Sequence, residues 1–244
     1  MKKPTMPGSK WTKYKLLRSD PALADLQPET RLYTPSALRA MLRRYETLYV
    51  KPNDSFGGLD VLCLTRTPTG LLLQSGKRKK TLADIASFDR FLRSISRGRT
   101  FIIQRGIALR PWHGRPVDIR TLVQRHEKGL WETLGLYAKA AAPGLAITNL
   151  KSGGKILTVK TYLRALPLSL DERAAILRDL QLISEQVASA LGERYRNRRY
   201  GLDIGLDEQG KLWLIEVNGR VSLNILRRVD NEMYRRAMKR RKQP

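Results

Sequence analysis

The amino-acid sequence predicts an α+β fold made of amphipathic helices and hairpin-connected strands. Hydrophobic residues recur at helical spacing over residues 169–191, whereas strand-like segments flank short turns within residues 59–75 and 202–218. Helices and strands do not alternate as regular βαβ units, which argues against a doubly wound parallel sheet. With 244 residues, 41% of them hydrophobic, the chain is long enough to bury a core in one domain or in two subdomains that share it.

The first half of the chain is predicted to begin with a basic segment that carries a short helix. A second helix is predicted where Leu38, Met41 and Leu42 share one face, and a third begins at Thr81, which with Asp84 resembles a capping box. Turn residues separate the predicted strands. The predicted helices span residues 14–26, 36–45 and 81–96, the strands residues 48–51, 59–65 and 70–75, and a loop residues 53–58.

The second half contains the longest predicted helix and the clearest hairpin. Ser169 and Glu172 form a capping box at the start of that helix. Hydrophobic residues follow at helical spacing, at Ile176, Leu180, Ile183, Val187 and Leu191. A basic helix is predicted over residues 231–241 near the C-terminus. The predicted strands span residues 101–104, 118–125, 131–138, 156–159, 202–206 and 211–218, with a loop over residues 140–154.

The chain is strongly basic. It has 47 Lys and Arg against 22 Asp and Glu, a net charge of +25, and only part of the excess lies in the C-terminal segment 227–244. Such a surface attracts polyanions such as nucleic acid, anionic cell polymers or phosphorylated ligands. The alternative is a solvated basic face with no specific partner. No zinc-finger spacing or aromatic-rich RNA-binding motif is present, so no motif supports nucleic acid as the partner.

Hydrophobic patterning and cysteine content indicate a cytoplasmic protein. No apolar run approaches the ~18–20 residues of a membrane span, and no apolar stretch follows the basic start as it does in a secretory signal. The single cysteine, Cys63, lies in an apolar strand-like run, so we expect it in the core rather than in a disulfide.

Two carboxylates and an amide mark the hairpin of residues 200–220. A turn centred near Gln209–Gly210 places Asp203 and Glu216 nearly opposite each other, and Asn218 projects from the same face as Glu216. Oxygen donors arranged in this way suit Mg²⁺, which takes one or two carboxylates and completes its shell with phosphate and water. The alternative is that Asp203 and Glu216 pair with Lys or Arg.

A lysine followed by a glycine-bearing loop indicates phosphate binding. Lys51 ends a predicted strand, and the sequence SFGG follows within a few residues. Backbone N–H groups that glycines leave accessible can hold nucleotide phosphates together with a lysine. The pattern is not a P-loop, because GxxxxGK[ST] does not occur. The alternative is a surface lysine beside an ordinary hairpin turn.

Five short motifs in a fixed order resemble those of the ATP-grasp family. They are KP with SFGG, IIQRGI (102–107), VDIRTLV (117–123), TNLKSGG (148–154) and LDIGLDEQGKLWLIEVN (202–218). The match is to the YheC/YheD-type branch, known as spore-coat-associated proteins of endospore formers, and the segment of residues 9–33 resembles that branch as well. The motif series is also similar to ribosomal-protein glutamate ligases and, more loosely, to D-alanine–D-alanine ligases. The resemblance covers residues 9–225.

The resemblance implies two α+β subdomains with mixed or antiparallel sheets that clasp ATP. The expected divisions are a basic N-terminal segment (1–30), a small subdomain with Lys51 and the SFGG loop (31–100), a large subdomain with the metal hairpin (101–225) and a basic C-terminal helix and tail (226–244).

The resemblance also implies ATP and one or two Mg²⁺ ions, together with residues that bind them. Arg120 and Lys139 would be catalytic, with Arg120 near the γ-phosphate or a substrate acid, and a second phosphate-contacting lysine would be Lys10, Lys13 or Lys15. The implied metal ligands are Asp203, Glu216 and Asn218. The implied nucleotide-binding residues are Lys51, Ser55, Gly57, Gly58, Ile103, Gln104, Gly106, Ile107, Asp118 and Asn149.

The implied activity is that of a carboxylate–amine ligase that acts through an acylphosphate on an unidentified acceptor. Two alternatives stay open: a non-catalytic basic module that binds an anionic polymer or a spore-coat protein, and an ATP-grasp kinase or phosphotransferase. A spore-associated location is an extension of the cytoplasmic prediction.

Three departures from the family pattern qualify this expectation. The first matched motif begins near residue 9, so we expect the N-terminal subdomain of many relatives to be missing. Gly219, Arg220 and Val221 follow the metal hairpin where relatives often have a residue pair ending in Pro. Gly201 stands where many ligases carry an arginine, two residues before the first metal aspartate.

Overall fold

A computed structural model describes residues 3–55, 60–126, 129–148 and 150–239, without the side chains of residues 151, 236 and 239. The helices are α1 (Lys10–Arg18), α2 (Pro21–Ala24), α3 (Pro35–Arg44), α4 (Ile85–Ser96), α5 (Val159–Arg164), α6 (Leu170–Arg194), α7 (Asn224–Val229) and α8 (Asn231–Lys239). The strands are β1 (Thr30–Leu32), β2 (Thr47–Pro52), β3 (Leu62–Thr67), β4 (Gly70–Ser75), β5 (Arg78–Leu82), β6 (Phe101–Arg105), β7 (Val117–Arg125), β8 (Trp131–Ala140), β9 (Lys155–Thr158), β10 (Arg199–Leu206) and β11 (Leu212–Asn218).

The first subdomain is a six-stranded sheet covered by α3 and α4. Its strand order is β1-β6-β2-β3-β4-β5, and each neighbouring pair is antiparallel. Leu38 and Met41 of α3 and Phe88 of α4 are fully buried against Leu64 and Ile103 of the sheet. The hydrophobic face of each helix therefore closes the core from the same side.

The second subdomain is a five-stranded antiparallel sheet with helices on both faces. Its strand order is β11-β10-β7-β8-β9. The long helix α6 packs on one face, where Ile119 and Leu202 are fully buried. The other face is covered in part by α7 and α8, which pack on Leu122 and Leu134. The rest of that face, including Asp118 and Arg120, is left facing the first subdomain.

The N-terminal helix α1 joins the two subdomains. Leu17 of this helix is buried in the core of the second subdomain. The backbone N–H of Lys10 donates to the carbonyl of Asn53, 2.8 Å away in the loop after β2. Leu214 of β11 donates to the carbonyl of Leu26 at 2.7 Å. The segment before β1 is therefore packed structure that connects both subdomains.

The α+β class predicted from the sequence is confirmed, and so are the positions of most elements. The capping box of α6 is present: Ser169 Oγ accepts from the N–H of Glu172 at 3.1 Å, and Glu172 Oε2 accepts from the N–H of Ser169 at 2.6 Å. Both sheets are antiparallel, within the predicted choice of mixed or antiparallel.

Several local predictions differ from the structure. Thr81 lies in β5 rather than at a helix start, and Asp84 itself caps α4 by accepting from the N–H of Ser87 at 2.8 Å. Strand β6 lies between β1 and β2, so the first subdomain extends beyond the expected division at residue 100. The short elements β1, α5 and α7 were not predicted, because three to six residues carry too little periodicity.

Within the described ranges, no helix combines the length and the hydrophobicity that a membrane span requires. Cys63 is buried in β3, as its apolar context predicts.

Replacing Ser169 with Ala removes the hydroxyl that accepts from the N–H of Glu172, which is one of the two hydrogen bonds of the α6 capping box. We expect the free energy of unfolding to fall by about 1 kcal/mol, measured by urea denaturation. The matched control is Ser94→Ala, because Ser94 lies inside α4 and its hydroxyl donates only to the carbonyl of Phe91 at 2.7 Å. An equal loss in both variants would contradict a specific capping contribution.

Candidate functional site

A cleft of about 650 Å³ separates the two sheets. Tyr49, Lys51 and Gln104 line it from the first subdomain. The second subdomain contributes most of the polar side chains predicted from the sequence, namely the charged Asp118, Arg120, Lys139, Asp203 and Glu216 and the neutral amide Asn218. The volume falls within the range of sites that hold a small molecule.

Strand register brings these charged residues together. Asp203 of β10 is paired with Glu216 of β11 on one side and with Arg120 of β7 on the other. Asp118, two residues before Arg120, is paired with Lys139 of β8. Because residues i and i+2 of a strand share a face, all five side chains project from the same side of the sheet. The hairpin register predicted for Asp203 and Glu216 is therefore confirmed.

Asp203 is the centre of the charge network. Arg120 donates to both of its carboxylate oxygens, from Nε to Oδ1 and from Nη2 to Oδ2, each at 2.8 Å. Lys139 Nζ donates to Oδ1 at 2.6 Å, and Asn218 Nδ2 to Oδ2 at 3.3 Å. Burial opposes the charged carboxylate, but Arg120 and Lys139 outweigh it and hold the pKa of Asp203 well below its usual value.

Gly201 gives Arg120 the space for this geometry. A Cβ atom built on Gly201 would lie 2.9 Å from Nη1 of Arg120, which is closer than a real Cβ contact. The departure from the family pattern at residue 201 thus coincides with an arginine that reaches Asp203 from the neighbouring strand.

Asp118 forms the second half of the network. Its Oδ1 lies 2.9 Å from Nζ of Lys139, and its Oδ2 accepts from the hydroxyl of Thr148. Burial raises the pKa of Asp118, against the attraction of Lys139. Lys139 is in contact with both aspartates, and their charges raise its pKa although burial alone would lower it.

Lys51 faces this network from the first subdomain. The side chain is buried, and its Nζ donates to Oε1 of Gln104 at 2.6 Å. Burial lowers the pKa of Lys51 to about 8, with Glu216 as the main opposing charge. No carboxylate of the described residues lies within 4.0 Å of this ammonium group, so a bound anion would supply the missing counter-charge.

The structure distinguishes the three N-terminal lysines that the sequence left open. Lys10 lines the cleft, where its Nζ lies 3.5 Å from Oε1 of Glu216 and donates to the carbonyl of Ser55. Lys13 is buried behind the cleft and donates to the carbonyl of Val217 at 2.7 Å. Lys15 is exposed, with its Nζ 5.8 Å from the ring centre of Trp11. Only Lys10 of these three is placed to meet a ligand in the cleft.

The structure divides the expected nucleotide-binding residues within residues 103–107 into two groups. Gln104 and Ile107 line the cleft, and Gln104 Nε2 donates to the carbonyl of Ile215 at 3.3 Å. Ile103 instead lies in the core of the first subdomain, with its backbone between β1 and β2. Gly106 packs against Thr47, to whose carbonyl its N–H donates at 2.8 Å. Neither Ile103 nor Gly106 is part of the cleft lining.

Ser55 lines the cleft, whereas Gly57, Gly58 and Asn149 lie outside the described residues. Tyr49 was missed by the sequence analysis because it belongs to no motif. Its hydroxyl donates to the carbonyl of Ala146 at 3.0 Å, so it connects the first subdomain to the wall formed by the second.

Asp203, Glu216 and Asn218 form the set that fits a hard metal ion. All three line the cleft on adjacent strands and offer oxygen atoms, which Mg²⁺ prefers. Within the described ranges no group of three His, Cys, Asp or Glu side chains forms a metal cluster. A set of two carboxylates and one amide leaves coordination positions to phosphate and water, so its chemistry fits Mg²⁺ bound together with a nucleotide.

Comparison with solved structures supports the fold. An ADP complex of the N5-carboxyaminoimidazole ribonucleotide synthetase PurK is 10% identical, with a TM-score of 0.55 over 88% of this chain and 45% of that one. The ATP-grasp ligase PsnB complexed with a minimal precursor is 14% identical, with a TM-score of 0.51 over 95% of this chain and 60% of that one. At these identities the likeness concerns the fold alone.

Comparison of sequences gives the family. The endospore coat-associated protein YheD of Bacillus subtilis is 29% identical over 243 residues, which cover 94% of this chain and 52% of YheD. The chain thus spans about half the length of this curated relative. A family model described as YheC/D-like ATP-grasp matches residues 4–242. The resemblance drawn from five motifs is confirmed, and the chain belongs to the YheC/D-like ATP-grasp family.

Proposed function

We propose that this chain is an ATP- and Mg²⁺-dependent ligase that activates a carboxylate as an acylphosphate and joins it to an amine. The observation that carries this proposal is a set of buried cations, Arg120, Lys139 and Lys51, that face one cleft beside the oxygen donors Asp203 and Glu216. Its relatives in fold include PurK, solved with ADP, and the ligase PsnB. A synthetase solved with ADP and an ATP-grasp ligase support an ATP-dependent ligase reaction for this chain.

Lys51 and Lys10 are assigned to the phosphate chain. Both ammonium groups are largely withdrawn from water, where their attraction to phosphate is stronger than at an exposed site. Gln104 holds Lys51 in place at 2.6 Å, so the charge is oriented before a ligand arrives. Gln104, Ile107 and Tyr49 then bound the part of the cleft assigned to the base.

Arg120 and Lys139 are assigned to the reacting groups. Both contact Asp203, which holds them in a fixed position and, together with Asp118, balances their charges. When the γ-phosphoryl group passes from ATP to an oxygen of the donor carboxylate, ADP leaves and these two cations stabilise the acylphosphate. The amine nitrogen then attacks the carbonyl carbon, phosphate leaves and the nitrogen releases a proton. No side-chain nucleophile is required.

Asp203, Glu216 and Asn218 are assigned to magnesium. When bound there, Mg²⁺ would offset the negative charge of the phosphate groups and orient them. Glu216 is the most accessible of the carboxylates in this set, and its neighbour Lys10 is 3.5 Å away rather than in close contact. It is therefore the ligand that is most readily available to a metal ion.

A kinase acting on an alcohol or phosphate would use the same nucleotide residues, and product analysis separates the two reactions. A ligase releases ADP and free phosphate, whereas a kinase releases ADP and keeps the phosphate on its product.

The second alternative is a non-catalytic module that binds an anionic polymer or a coat protein. The observation that supports this alternative is the net charge of +25. Since YheD carries the description endospore coat-associated, we place the acceptor of this chain in the same setting.

Replacing Glu216 with Ala removes a metal ligand without changing the buried Asp203 network. We expect isothermal titration calorimetry to show Mg-dependent ATP binding by the native protein and a loss of at least about tenfold in affinity for Glu216→Ala, since a charge-assisted contact is worth ~1.5–3 kcal/mol. The control is Glu208→Ala, which makes the same charge change in the exposed turn of the same hairpin.

Two results would contradict the proposal. A folded native protein that binds no Mg-ATP would leave the basic non-catalytic module as the better description. Equal affinities of Glu216→Ala and Glu208→Ala for Mg-ATP would show that Glu216 is not a metal ligand, although ATP still binds. If ATP binds, a screen of amine and carboxylate acceptors for ADP and phosphate release tests the ligase reaction itself.

The lowered pKa of Lys51 predicts that ATP binding takes up protons in alkaline solution. Burial lowers this pKa to about 8 from the ordinary value of 10.5, and a bound phosphate would raise it again. Above about pH 8 the neutral lysine must therefore be protonated as ATP binds, so affinity falls by up to about tenfold per pH unit for this one group. Calorimetry at pH 9 in two buffers of different ionisation enthalpy measures the uptake.

Lys51→Met should lose this proton uptake and bind ATP more weakly at pH 7, whereas Lys79→Met, an exposed lysine on β5, should behave as the native protein does. A constant affinity between pH 7 and pH 9, with no proton uptake, would show that Lys51 does not contact the phosphates.

A further inference from the structure

A second groove, here called the aromatic groove, opens beside α1, β1 and the end of α3. Its volume is about 540 Å³, and of the described residues Arg105 alone lines both this groove and the cleft. Side chains reach it from both subdomains, including Tyr45 from the first and Trp213 from the second. The groove therefore lies at their junction, on the strand that leads from the first sheet into the second subdomain.

Five side chains in this groove form a row in which cations alternate with aromatic rings. The guanidinium carbon of Arg105 lies 5.1 Å from the ring centre of Tyr45 and 5.0 Å from that of Trp213. Arg44 lies 5.1 Å from the Tyr45 ring, and Lys211 Nζ lies 4.1 Å from the Trp213 ring. Cations within about 6 Å of a ring centre are attracted to it, so each ring attracts two positive groups and both rings contact Arg105.

Both rings are themselves fixed by hydrogen bonds. Tyr45 donates from its hydroxyl to Oε2 of Glu29 at 2.7 Å, and Trp213 donates from Nε1 to Oδ2 of Asp207 at 2.7 Å. Trp213 is almost fully buried. The cations are therefore arranged on a rigid support, and less side-chain entropy remains to be lost when they bind a partner.

The charges of the row are only partly balanced. Arg44 pairs with Glu29 at 2.6 Å. Arg105 and Lys211 have no carboxylate within 4.0 Å among the residues that the structure describes. Arg18 adds a positive charge to the groove and Asp25 a negative one, whereas Arg31 pairs with Glu29 at 2.7 Å.

Arg105 and Lys211 both lie against the ring of Trp213, so their charges repel each other, and a bound anion would relieve that repulsion.

We propose that the aromatic groove binds a small phosphorylated ligand, at a site separate from the ATP cleft. A guanidinium whose faces rest on two rings presents its N–H edge, and that edge matches the paired oxygens of a phosphate group. A phosphate monoester carries about −1.5 to −2 charges at pH 7, which suits two cations that have no close carboxylate among the described residues. The volume fits a small molecule rather than a folded partner.

Calorimetric titration with inorganic pyrophosphate tests this site, with the ATP cleft disabled separately. Three double variants carry the same loss of two positive charges. The groove variant, Arg18→Gln/Lys211→Gln, changes two exposed residues of the aromatic groove. The β5 variant, Lys79→Gln/Lys80→Gln, changes two exposed residues of β5. The cleft variant, Lys10→Gln/Lys51→Gln, changes two residues that line the cleft. We expect the groove variant to lose about tenfold in affinity for one pyrophosphate site that the other two retain.

Equal losses in the groove and β5 variants would reduce the effect to general charge attraction and overturn the proposal. A loss confined to the cleft variant would assign pyrophosphate to the ATP site alone and would also overturn it. Circular dichroism checks that the variants fold, and the single variant Lys211→Gln repeats the comparison with a minimal change. Binding of a polyphosphate to the groove without binding of pyrophosphate would overturn the proposal of a small ligand and indicate an anionic polymer instead.

Discussion

A buried carboxylate that holds two buried cations is the interaction on which the rest of the site depends. Asp203 contacts Arg120 and Lys139 at 2.6–2.8 Å. Removing one member of such a network leaves a charge without a partner in the interior, at a cost of about 3–5 kcal/mol. The network therefore requires strands β7, β8 and β10 to stay in one register, and that register in turn directs Glu216 and Asn218 into the cleft. Stability and ligand binding rely here on the same side chains.

The wall of the cleft that the first subdomain forms has a different charge balance. Among the residues that the structure describes, Lys51 has no carboxylate within 4.0 Å, and burial lowers its pKa to about 8. One wall thus holds cations that are already neutralised by aspartates, and the other holds a cation whose charge is costly until an anion arrives. Hydrogen bonds that join the two walls include that of Tyr49 with Ala146 and that of Gln104 with Ile215. Such an arrangement favours a ligand that carries several negative charges and spans both walls.

Excess positive charge is distributed unevenly over the molecule. Part of it forms the cleft, part lines the aromatic groove, and part lies on exposed positions such as Arg78 and Lys79 of β5. Charges on an edge strand discourage pairing with another sheet, and this structural role is sufficient to explain the positive charges of β5. The groove differs because Arg105 is held between two rings and joins the first sheet to the second subdomain. A net charge alone could not distinguish these three uses.

Local periodicity, turn residues and motif order were enough to predict the α+β class, the family, the capped helix α6 and the hairpin that pairs Asp203 with Glu216. The three-dimensional packing was needed to show that Lys10 rather than Lys13 or Lys15 reaches the cleft, because three lysines on one helix differ only in what packs around them. It also decided that Ile103 lies in the core and Gln104 in the cleft, since neighbouring residues of a strand face opposite sides. The network of Arg120 and Lys139 around Asp203 depends on pairing between strands that are up to 83 residues apart, and no local pattern in the sequence encodes that register.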